Sequence, residues 1–368
     1  MKEIHFGFIG FGLIGGSIAR NLRTIYPNAQ FTAYNYHPEA VNPNLLLAKE
    51  EGTLNTIVNS LEENFSDCDI IFLCAPVLKN ISYLSQLQHI IKPTCILTDV
   101  GSVKGNIHDA IKEFHLEKHF IGGHPMAGSE KTGYSNSSTT LLENAFYILT
   151  PTTETPRETI TTMQKIVTDI GAIPIVLTPD NHDDITAAIS HVPHIIAASL
   201  VNMVHDNDDQ KEHMRSLAAG GFKDITRIAS SSPVMWENIC LTNPASITKF
   251  IDIFIQYLEE VRVAIKKENS DYLLNFFESS KKFRDAIPNT PIGMIEKIHE
   301  IYVDVMDKKG AIATVATILA SHDINIKNIG IVNNREFTNG ALRIEFYSDT
   351  ASSSANEILQ SYNYTIYR

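Results

Sequence analysis

The 368-residue sequence predicts an α/β protein in three parts: a doubly wound parallel sheet, an all-helical segment and a small α+β module. A glycine-rich loop follows the first apolar strand, and apolar strand-like runs alternate with helical patterns as far as residue 177. A proline-bearing linker at residues 287–291 precedes a second alternation of strands and helices. We therefore place the domains at residues 1–177, 178–290 and 295–368.

The first apolar strand leads directly into the loop GFGLIGGS, which opens an amphipathic helix. A G-x-G-x-x-G loop in this context is typical of a Rossmann dinucleotide-binding turn. Gly10 permits the tight turn, Gly12 lets the backbone approach a pyrophosphate, and Gly15 lets helix and strand pack closely. Leu13 and Ile14 begin the helix, whose free N–H groups would face the phosphates. The loop predicts a nicotinamide cofactor.

The identity of that cofactor stays open between NAD and NADP. An acidic residue at the end of the second strand favours NAD because it binds the ribose hydroxyls and repels a 2′-phosphate, but this chain has the neutral Asn35 there. His37 could contact a phosphate, yet no Lys or Arg follows until Lys49. Ala75 and Pro76, where the strand-like run from residue 70 ends, complete the predicted cofactor site.

Composition excludes several classes of protein. The formal net charge of −12 and the isoelectric point near 5.6 argue against a nucleic-acid partner, which would require positive charge. The four cysteines show no C-x-x-C spacing and indicate a reducing compartment. No signal peptide precedes the first strand, and no uninterrupted apolar run reaches about 18 residues. We expect a cytoplasmic enzyme without a membrane span.

Apolar strands follow one another through the first domain, at residues 70–75, 95–99, 145–149 and 173–177. Continuous apolar strands predict a parallel sheet that is covered on both faces. Thr178 and Pro179 then provide an N-cap and a first helical residue, so the helical domain begins there. Its longest predicted helix covers residues 247–267.

The C-terminal segment reads as strand, helix, strand, strand, helix, strand, which is the order of a ferredoxin-like module. Its turn-helix-turn-strand segment, residues 307–329, resembles the ACT family of small regulatory domains. That resemblance implies an amino-acid site near Asp307, Gly310 and Asn325 where two copies pair. The sequence departs from the family pattern at Lys309, where a proline is usual.

Two loops that follow strands in the first domain carry polar side chains suited to catalysis: DVGSVK at residues 99–104 and GGHPMAGSE at residues 122–130. Open α/β sheets bind their ligands at the carboxyl ends of strands. His124 is the candidate general base, because an imidazole accepts a proton near neutral pH. Ser102 is predicted to orient that imidazole or the substrate hydroxyl, or to cap a helix N-terminus.

The motif SHVPH in the helical domain places His191 and His194 three residues apart. A metal could bind such a pair, but no obvious third ligand accompanies it beyond His182, Asp183 and Asp184. We therefore predict no metal.

Arg227 lies in a half-apolar helical stretch, where a guanidinium needs a partner. That partner is either Asp224 or a substrate carboxylate held by two hydrogen bonds. The only tryptophan, Trp236, follows nine residues later and is of a type found more often in a core than at a ligand.

Together these segments resemble the prephenate dehydrogenase family of tyrosine biosynthesis. The matching pieces are GFGLIGGS, DVGSVK, GGHPMAGSE, SHVPH and GGFKDITRIASSSPVMW, in this order from residue 6 to residue 241. The resemblance implies oxidative decarboxylation of prephenate to 4-hydroxyphenylpyruvate and a homodimer formed by the helical domain. It implies that His124 bonds the ring hydroxyl, that Ser102 is its partner and that Arg227 anchors the side-chain carboxylate. The further substrate contacts that it implies are Ser129, Glu130, Ser190, His194 and Trp236.

Two other functions remain open from the sequence. Arogenate, with an amino group in place of the keto group of prephenate, could be the substrate, and an acidic residue close to Arg227 would favour it. The chain could also be a redox-silent sensor of a nucleotide and an amino acid, although such a sensor needs neither His124 nor Ser102. The C-terminal module predicts an effector, and the resemblance implies that it is L-tyrosine, the end product of the pathway.

Overall fold

The computed structural model of the chain describes residues 4–36, 41–128, 131–287, 299–305, 308–332 and 341–367. The chain divides into two compact units, Met1–Pro291 and Ile292–Arg368. The first unit contains both the predicted dinucleotide-binding segment and the predicted helical segment. Four residues named above lie outside the described residues: His37, Ser129, Glu130 and Asp307.

A parallel five-stranded sheet forms the centre of the first unit. Its strands, in the spatial order β3-β2-β1-β4-β5, are β1 (His5–Ile9), β2 (Gln30–Tyr34), β3 (Thr56–Ile57), β4 (Ile70–Leu73) and β5 (Ile96–Asp99). Alternate residues of β4 enter two different cores: Ile70 and Phe72 pack on one face, and Ile71 and Leu73 on the other. A continuous apolar strand is thus buried on both sides, as predicted.

Three helices lie between these strands in the chain, and two more follow β5. They are α1 (Leu13–Ile25), α2 (Pro43–Glu50), α3 (Val77–Ile90), α4 (Gly105–Glu113) and α5 (Arg157–Asp169). α1 is amphipathic and buries Ile18, Ala19 and Leu22 against the aromatic core of Phe6, Phe8 and other residues. The parallel strands therefore all end at the same edge, where their loops meet.

The remaining strands of this unit correct the prediction of a wholly parallel sheet. β6 (Ile121–Pro125), β7 (Phe146–Pro151) and β8 (Ile173–Val176) form a second sheet, in which β6 and β7 pair antiparallel and β7 and β8 parallel. A parallel pair would need a crossover connection, usually a helix, between its strands. The described residues between β6 and β7 form only short 3₁₀ turns, which fits their antiparallel pairing. A single parallel bridge between Leu97 and Phe120 joins this sheet to the edge of the first.

The helical part of the first unit begins where the sequence predicts. The Thr178 hydroxyl accepts a hydrogen bond from the Asn181 N–H at 3.2 Å, and Pro179 is the first helical residue. The helices that follow are α6 (Pro179–Thr186), α7 (Val192–Asn207), α8 (His213–Leu217), α9 (Gly220–Thr226), α10 (Pro233–Thr242), α11 (Pro244–Lys266) and α12 (Ser270–Ala286).

A π-helical turn, Ala187–His191, joins α6 to α7. Pro193 lies in the first turn of α7, but the chain is already helical before it. Proline has no N–H, and its ring would meet the carbonyl of the preceding turn in a regular helix. The wider turn, closed by the Val192 N–H on the Ala187 carbonyl, accommodates the proline.

The combined helical stretch Pro179–Asn207 is 29 residues long and, by length and composition only, could cross a membrane. The stretch is not an uninterrupted apolar run, because His182, Asp183, Asp184 and His191 lie within it. One such helix is weak evidence for a membrane span, because apolar helices inside other folds pass the same test.

The second unit is a four-stranded antiparallel sheet with two helices. Its elements are β9 (His299–Asp304), α13 (Ala311–Ser321), β10 (Ile326–Val332), β11 (Ala341–Phe346), α14 (Asp349–Ser361) and β12 (Ile366–Tyr367), and the strand order is β10-β11-β9-β12. Ile301, Val303, Leu319, Ile344 and Leu359 lie in its core. The order of strands and helices is the predicted one, while membership of the ACT family stays a prediction.

Candidate active site

The loop between β1 and α1 requires glycine for the reasons that its sequence predicts. Gly10 has a φ of +89°, and a Cβ there would lie 2.5 Å from the Ala75 nitrogen. A Cβ at Gly15 would lie 3.0 Å from the Gly10 carbonyl oxygen, so the absence of a side chain lets α1 approach the strand closely. At Gly12 an added Cβ would meet no atom within 4 Å, and open space therefore lies beside the loop.

The N-terminus of α1 is suited to an anion. Gly12 is its N-cap residue and provides no side-chain acceptor, so the first-turn N–H groups of Leu13 and Ile14 have no capping side chain in the described part of the chain. Unpaired N–H groups and the positive end of the helix dipole attract phosphates. The open space at Gly12 and these donors fit the pyrophosphate of a dinucleotide cofactor.

Asn35 follows β2 and lines a cavity of about 160 Å³. The described residues around this cavity are uncharged: Tyr34, Asn35, Tyr36, Val41, Asn42, Leu45, Ile57, Val58 and Asn59. A carboxylate that would bind the ribose and repel a 2′-phosphate is thus absent from this described lining, as is a basic side chain that would attract one. The lining therefore does not distinguish NAD from NADP.

Asn80 was missed by the sequence analysis and holds the loop that contains Ala75 and Pro76. Its fully buried side chain accepts from the Ala75 N–H at 3.2 Å and donates to the carbonyls of Leu73 and Ala75 at 3.1 and 2.8 Å. These three bonds fix the chain after β4 beside Gly10. An amide shortly after a strand end is the signal that could have identified it.

His124 is the fourth residue of β6 and is half-buried. Its Nδ1 lies 2.8 Å from Nε2 of His182, and Nδ1 of His182 lies 2.7 Å from Oδ1 of Asp183. The Asp183 carboxylate also accepts the N–H groups of Lys104 and Gly105, at 2.8 and 2.7 Å. A buried chain of hydrogen bonds thus runs from His124 to the N-terminus of α4.

A second buried network holds the strand that bears His124. The Lys104 ammonium donates to Asp99 Oδ2 at 2.5 Å and to the Gly123 carbonyl at 2.6 Å, and both charged side chains are completely buried. Asp99 also accepts from the N–H groups of Gly101 and Gly123. Burial lowers the pKa of Lys104, and the Asp99 carboxylate opposes that effect. The ion pair therefore fixes the backbone at Gly123, the residue before His124.

Among the described residues, Ser102 neither bonds the His124 imidazole nor caps α4. It is half-buried between β5 and α4, and its hydroxyl forms none of the hydrogen bonds seen among the described residues. His182 occupies Nδ1 of His124, and the Asp183 carboxylate occupies the N–H groups at the start of α4. A partner 58 residues away in sequence thus replaces the predicted partner, which lies 22 residues before His124.

Three predicted substrate residues lie together on the helical side. The rings of His194 and Trp236 stack with centroids 3.8 Å apart. Arg227 begins the 3₁₀ turn Arg227–Ser230, is exposed, and is near enough to His194 to contribute to the lowered pKa of that imidazole, for which burial is the larger cause. Ser190 lies in the π-helical turn. Asp224 forms no ion pair within the described part of the chain.

The two histidines of SHVPH face different partners. His191 is buried, its Nδ1 lies 3.4 Å from the amide of Asn243, and burial lowers its pKa to about 4. His194 stacks on Trp236 instead. Among the described residues, no group of three or more His, Cys, Asp or Glu side chains is placed to hold a metal ion.

The predicted effector residues in the second unit are not adjacent. Gly310, with a φ of +87°, caps the N-terminus of α13, and Asn325 follows its C-terminus. Eleven helical residues separate them by roughly 16 Å. Asn325 lines a surface groove of about 580 Å³ with Asp323, Tyr347, Thr350 and Ser354, among others.

Comparison with known proteins agrees with this architecture. A model of the prephenate dehydrogenase nucleotide-binding domain matches residues 18–176, and a model of the prephenate dehydrogenase dimerization domain matches residues 178–279. The chain belongs to the prephenate dehydrogenase family. The family and the oxidoreductase class predicted from the sequence are therefore confirmed.

Members of the prephenate dehydrogenase family from two bacteria share nearly the full length of the chain. Prephenate dehydrogenase of Bacillus subtilis (strain 168) is 36% identical over 354 residues, which cover 96% of this chain and 94% of that protein. The enzyme of Lactococcus lactis subsp. cremoris (strain MG1363) is 34% identical, with 98% of each chain covered. Both alignments are too long to leave out the second unit.

A solved structure of the same family covers about four fifths of the chain. The prephenate dehydrogenase from A. aeolicus, in complex with hydroxyphenyl propionate and NAD+, superposes with a TM-score of 0.72 at 30% identity. The match covers 78% of this chain and 99% of that one. The share of this chain that is left over corresponds in size to the C-terminal unit.

Proposed function

We propose that this chain oxidises and decarboxylates prephenate to 4-hydroxyphenylpyruvate with NAD or NADP. The observation that carries the proposal is the placement of His124. It lies near the carboxyl end of β6, at the sheet edge where the β1–α1 loop fits a dinucleotide. A proton acceptor and a cofactor site at one edge of a sheet are the two parts that this reaction needs.

The chemistry asks little of the protein beyond orientation and one base. A nicotinamide cofactor held at the β1–α1 loop would supply the two-electron oxidation, as acceptor of the hydride from C4 of the substrate ring. The proton of the 4-hydroxyl passes to His124, and the bond between the ring and its carboxylate breaks. The electron pair of that bond completes the aromatic ring as carbon dioxide leaves, and aromatisation drives the reaction. His124 then returns its proton to the phenolate oxygen, which gives the 4-hydroxyl of the product.

The protonation state of His124 suits this role. Burial lowers its pKa well below the usual value for histidine, and His182, Lys104 and His191 add to the effect. The imidazole is therefore neutral at physiological pH and has a lone pair for the hydroxyl proton.

Substrate binding is assigned to the cluster of Arg227, His194 and Trp236. A guanidinium can hold the side-chain carboxylate of prephenate, while the stacked rings of His194 and Trp236 provide a flat surface for the substrate ring. Ser129, Glu130 and Ser190 are assigned to the same site by resemblance to the family. The proposed role of Ser102 is contact with the substrate hydroxyl, since His182 takes the partner position at His124.

The test is an assay of the purified chain with prephenate and arogenate, each with NAD and NADP. We expect turnover of prephenate, and Arg227→Ala should raise its KM about 30-fold, equivalent to about 2 kcal/mol for a lost charge pair. Arg215→Ala is the matched control, because Arg215 is an exposed arginine paired with Glu212 in the same domain. Turnover of arogenate alone would contradict the proposal, and so would an unchanged KM for prephenate in Arg227→Ala.

We further propose that the helical segment forms a homodimer. α11 and α12 leave many large apolar side chains exposed in the single chain, including Ile255, Leu258, Leu274, Phe277 and Phe283. An apolar surface of this kind is typical of an obligate interface. The match to a dimerization domain covers both helices as far as residue 279.

We also propose a regulatory role for the second unit, with L-tyrosine as effector. The groove at Asn325 offers polar groups for the amino acid and an apolar floor from Ile324 and Ile358. We expect tyrosine to inhibit the full chain, prephenate to weaken tyrosine binding in return, and Asn325→Ala to relieve inhibition without changing kcat. Inhibition that is purely competitive and insensitive to Asn325→Ala would place tyrosine at the catalytic site.

A further inference from the structure

We propose that His182 and Asp183 are positioning residues that fix the tautomer of His124, so that Nδ1 is protonated and Nε2 is the basic nitrogen. This inference rests on the proposed function, because it explains how His124 acts as the base. The observation behind it is the chain of hydrogen bonds from His124 through His182 to Asp183, at 2.8 and 2.7 Å.

The proton positions follow from the end of the chain. An ionised carboxylate only accepts hydrogen bonds, so Nδ1 of His182 must carry the proton that it shares with Asp183. A neutral imidazole with a proton on Nδ1 has its lone pair on Nε2. The Nδ1 of His124, which faces that lone pair, must therefore be the donor. The lone pair of His124 is left on Nε2.

Backbone donors hold the Asp183 carboxylate in place. It accepts the N–H groups of Lys104 and Gly105, the first two donors of α4, at 2.8 and 2.7 Å. Hydrogen bonds from a helix N-terminus favour the charged form of a carboxylate. Asp183 is 7% exposed and His182 is completely buried, so no bulk water competes for these bonds.

Among the described residues, the other charged and titratable groups near His124 have partners of their own. The Lys104 ammonium is directed to Asp99 and to the Gly123 carbonyl. The ring of His191 lies against Asn243 and Trp236. The Asn243 amide in turn donates to the Asp183 carbonyl at 3.0 Å and holds the backbone of the positioning pair.

This arrangement also stabilises the product of the proton transfer. When His124 accepts the substrate proton at Nε2, its Nδ1–H is already donated to His182, so no reorganisation is needed. The new positive charge then lies two hydrogen bonds from a buried carboxylate. No proton has to leave His124 for the carboxylate to act.

Asp183→Asn is the most informative variant. The amide NH₂ of the new side chain can donate to Nδ1 of His182, so the proton of His182 would move to its Nε2. That proton would then be donated to Nδ1 of His124, and the proton of His124 would move to Nε2. We expect kcat to fall by about 10³-fold or more with little change in KM, as for the same substitution in a Ser-His-Asp triad. His182→Gln, whose carbonyl can still accept from His124 and which leaves the α4 cap in place, should lose much less activity than His182→Phe.

Nitrogen chemical shifts of ¹⁵N-labelled histidine provide a readout that turnover does not. In the free wild-type chain His124 should be protonated at Nδ1, and in Asp183→Asn the protonated nitrogen should be Nε2. His119→Gln is the control, since His119 is also hydrogen-bonded, to the Cys95 carbonyl, but lies outside the chain. Thermal unfolding checks that each variant is folded.

The two proposals fail in different ways. A wild-type chain that does not turn over prephenate, but shows His124 protonated at Nδ1, would contradict the proposed function alone. An active wild-type chain with His124 protonated at Nε2 would overturn the positioning role alone. A folded Asp183→Asn variant with nearly full kcat would overturn it as well.

Discussion

The cofactor side and the catalytic side of this active site are built from different materials. The β1–α1 loop is built from backbone and glycine. Gly10 allows the positive φ of the turn, Gly12 leaves open space, and Gly15 lets α1 pack closely on the strand. At His124 the chain offers a buried polar network, in which His182, Asp183 and others come from distant parts of the sequence.

The difference follows from what each side has to recognise. A pyrophosphate needs N–H groups and room, which a short contiguous segment can supply. A proton acceptor needs one defined tautomer and a fixed direction, and these require partners on several sides. The buried pair of Lys104 and Asp99 holds the backbone of β6 at Gly123. Removal of either charge alone would leave the other buried and unpaired.

The largest effect should come from the catalytic side, with His124→Asn. The amide can keep a hydrogen bond but cannot take the hydroxyl proton, so we expect kcat to fall by about 10² to 10⁴-fold with cofactor affinity unchanged. Steady-state kinetics and cofactor titration measure the two quantities. Near wild-type turnover would remove His124 from the mechanism.

The pH profile sharpens the same prediction. Because the pKa of His124 is lowered mainly by burial, its base form persists through neutral pH and is lost only well below pH 6.5. The kcat/KM of the wild type should therefore stay level through neutral pH and fall in the acid range, and a residual rate of His124→Asn should not show this fall.

An intermediate effect is expected on the cofactor side. There, one glycine is needed for the backbone conformation, and another leaves room for the cofactor. Gly10→Ala forces a positive φ and a contact of 2.5 Å with the Ala75 nitrogen, so it should destabilise the fold by about 2 kcal/mol or more. Gly12→Ala meets no protein atom within 4 Å and should leave thermal unfolding unchanged. Its methyl group would occupy the proposed pyrophosphate space and raise the cofactor KM about tenfold or more.

Equal behaviour of the two variants would contradict this division. If Gly12→Ala also unfolded at a lower temperature, Gly12 would be required for packing within the protein and not for space for a ligand. If it bound cofactor as the wild type does, the pyrophosphate would not approach Gly12.

The sequence predicts the cofactor side well because its information is local. Strand, glycine loop and helix follow one another within some twenty residues, and the helical start at Thr178 and Pro179 is equally local. The prediction was wrong where the answer depends on distant contacts. Nothing near β6 and β7 in the sequence indicates that they pair antiparallel.

The partner of His124 illustrates the same limit. Ser102 was a reasonable choice because it lies in a neighbouring loop, but the hydrogen bond goes to His182, 58 residues further along the chain. The His182-Asp183 pair at the start of a helix was noticed only as a set of metal ligands. A buried histidine beside a carboxylate is an equally good signal for a proton-positioning pair.

The smallest expected effect concerns the ribose end of the cofactor site, where Asn35 lines a cavity whose described residues are uncharged. Asn35→Asp would add an acceptor for the ribose hydroxyl and a negative charge that repels a 2′-phosphate, so the ratio of kcat/KM for NAD over NADP should rise about tenfold. Asn42→Asp is the matched control, because it adds the same charge to the same cavity and can keep the cap that Asn42 forms on the Asn44 N–H. A shift confined to Asn35→Asp would mean that the residue after β2 reads the ribose, as the loop motif predicts. Equal shifts in both variants would mean that the cavity responds only to net charge, and no shift in either would mean that the ribose is recognised elsewhere.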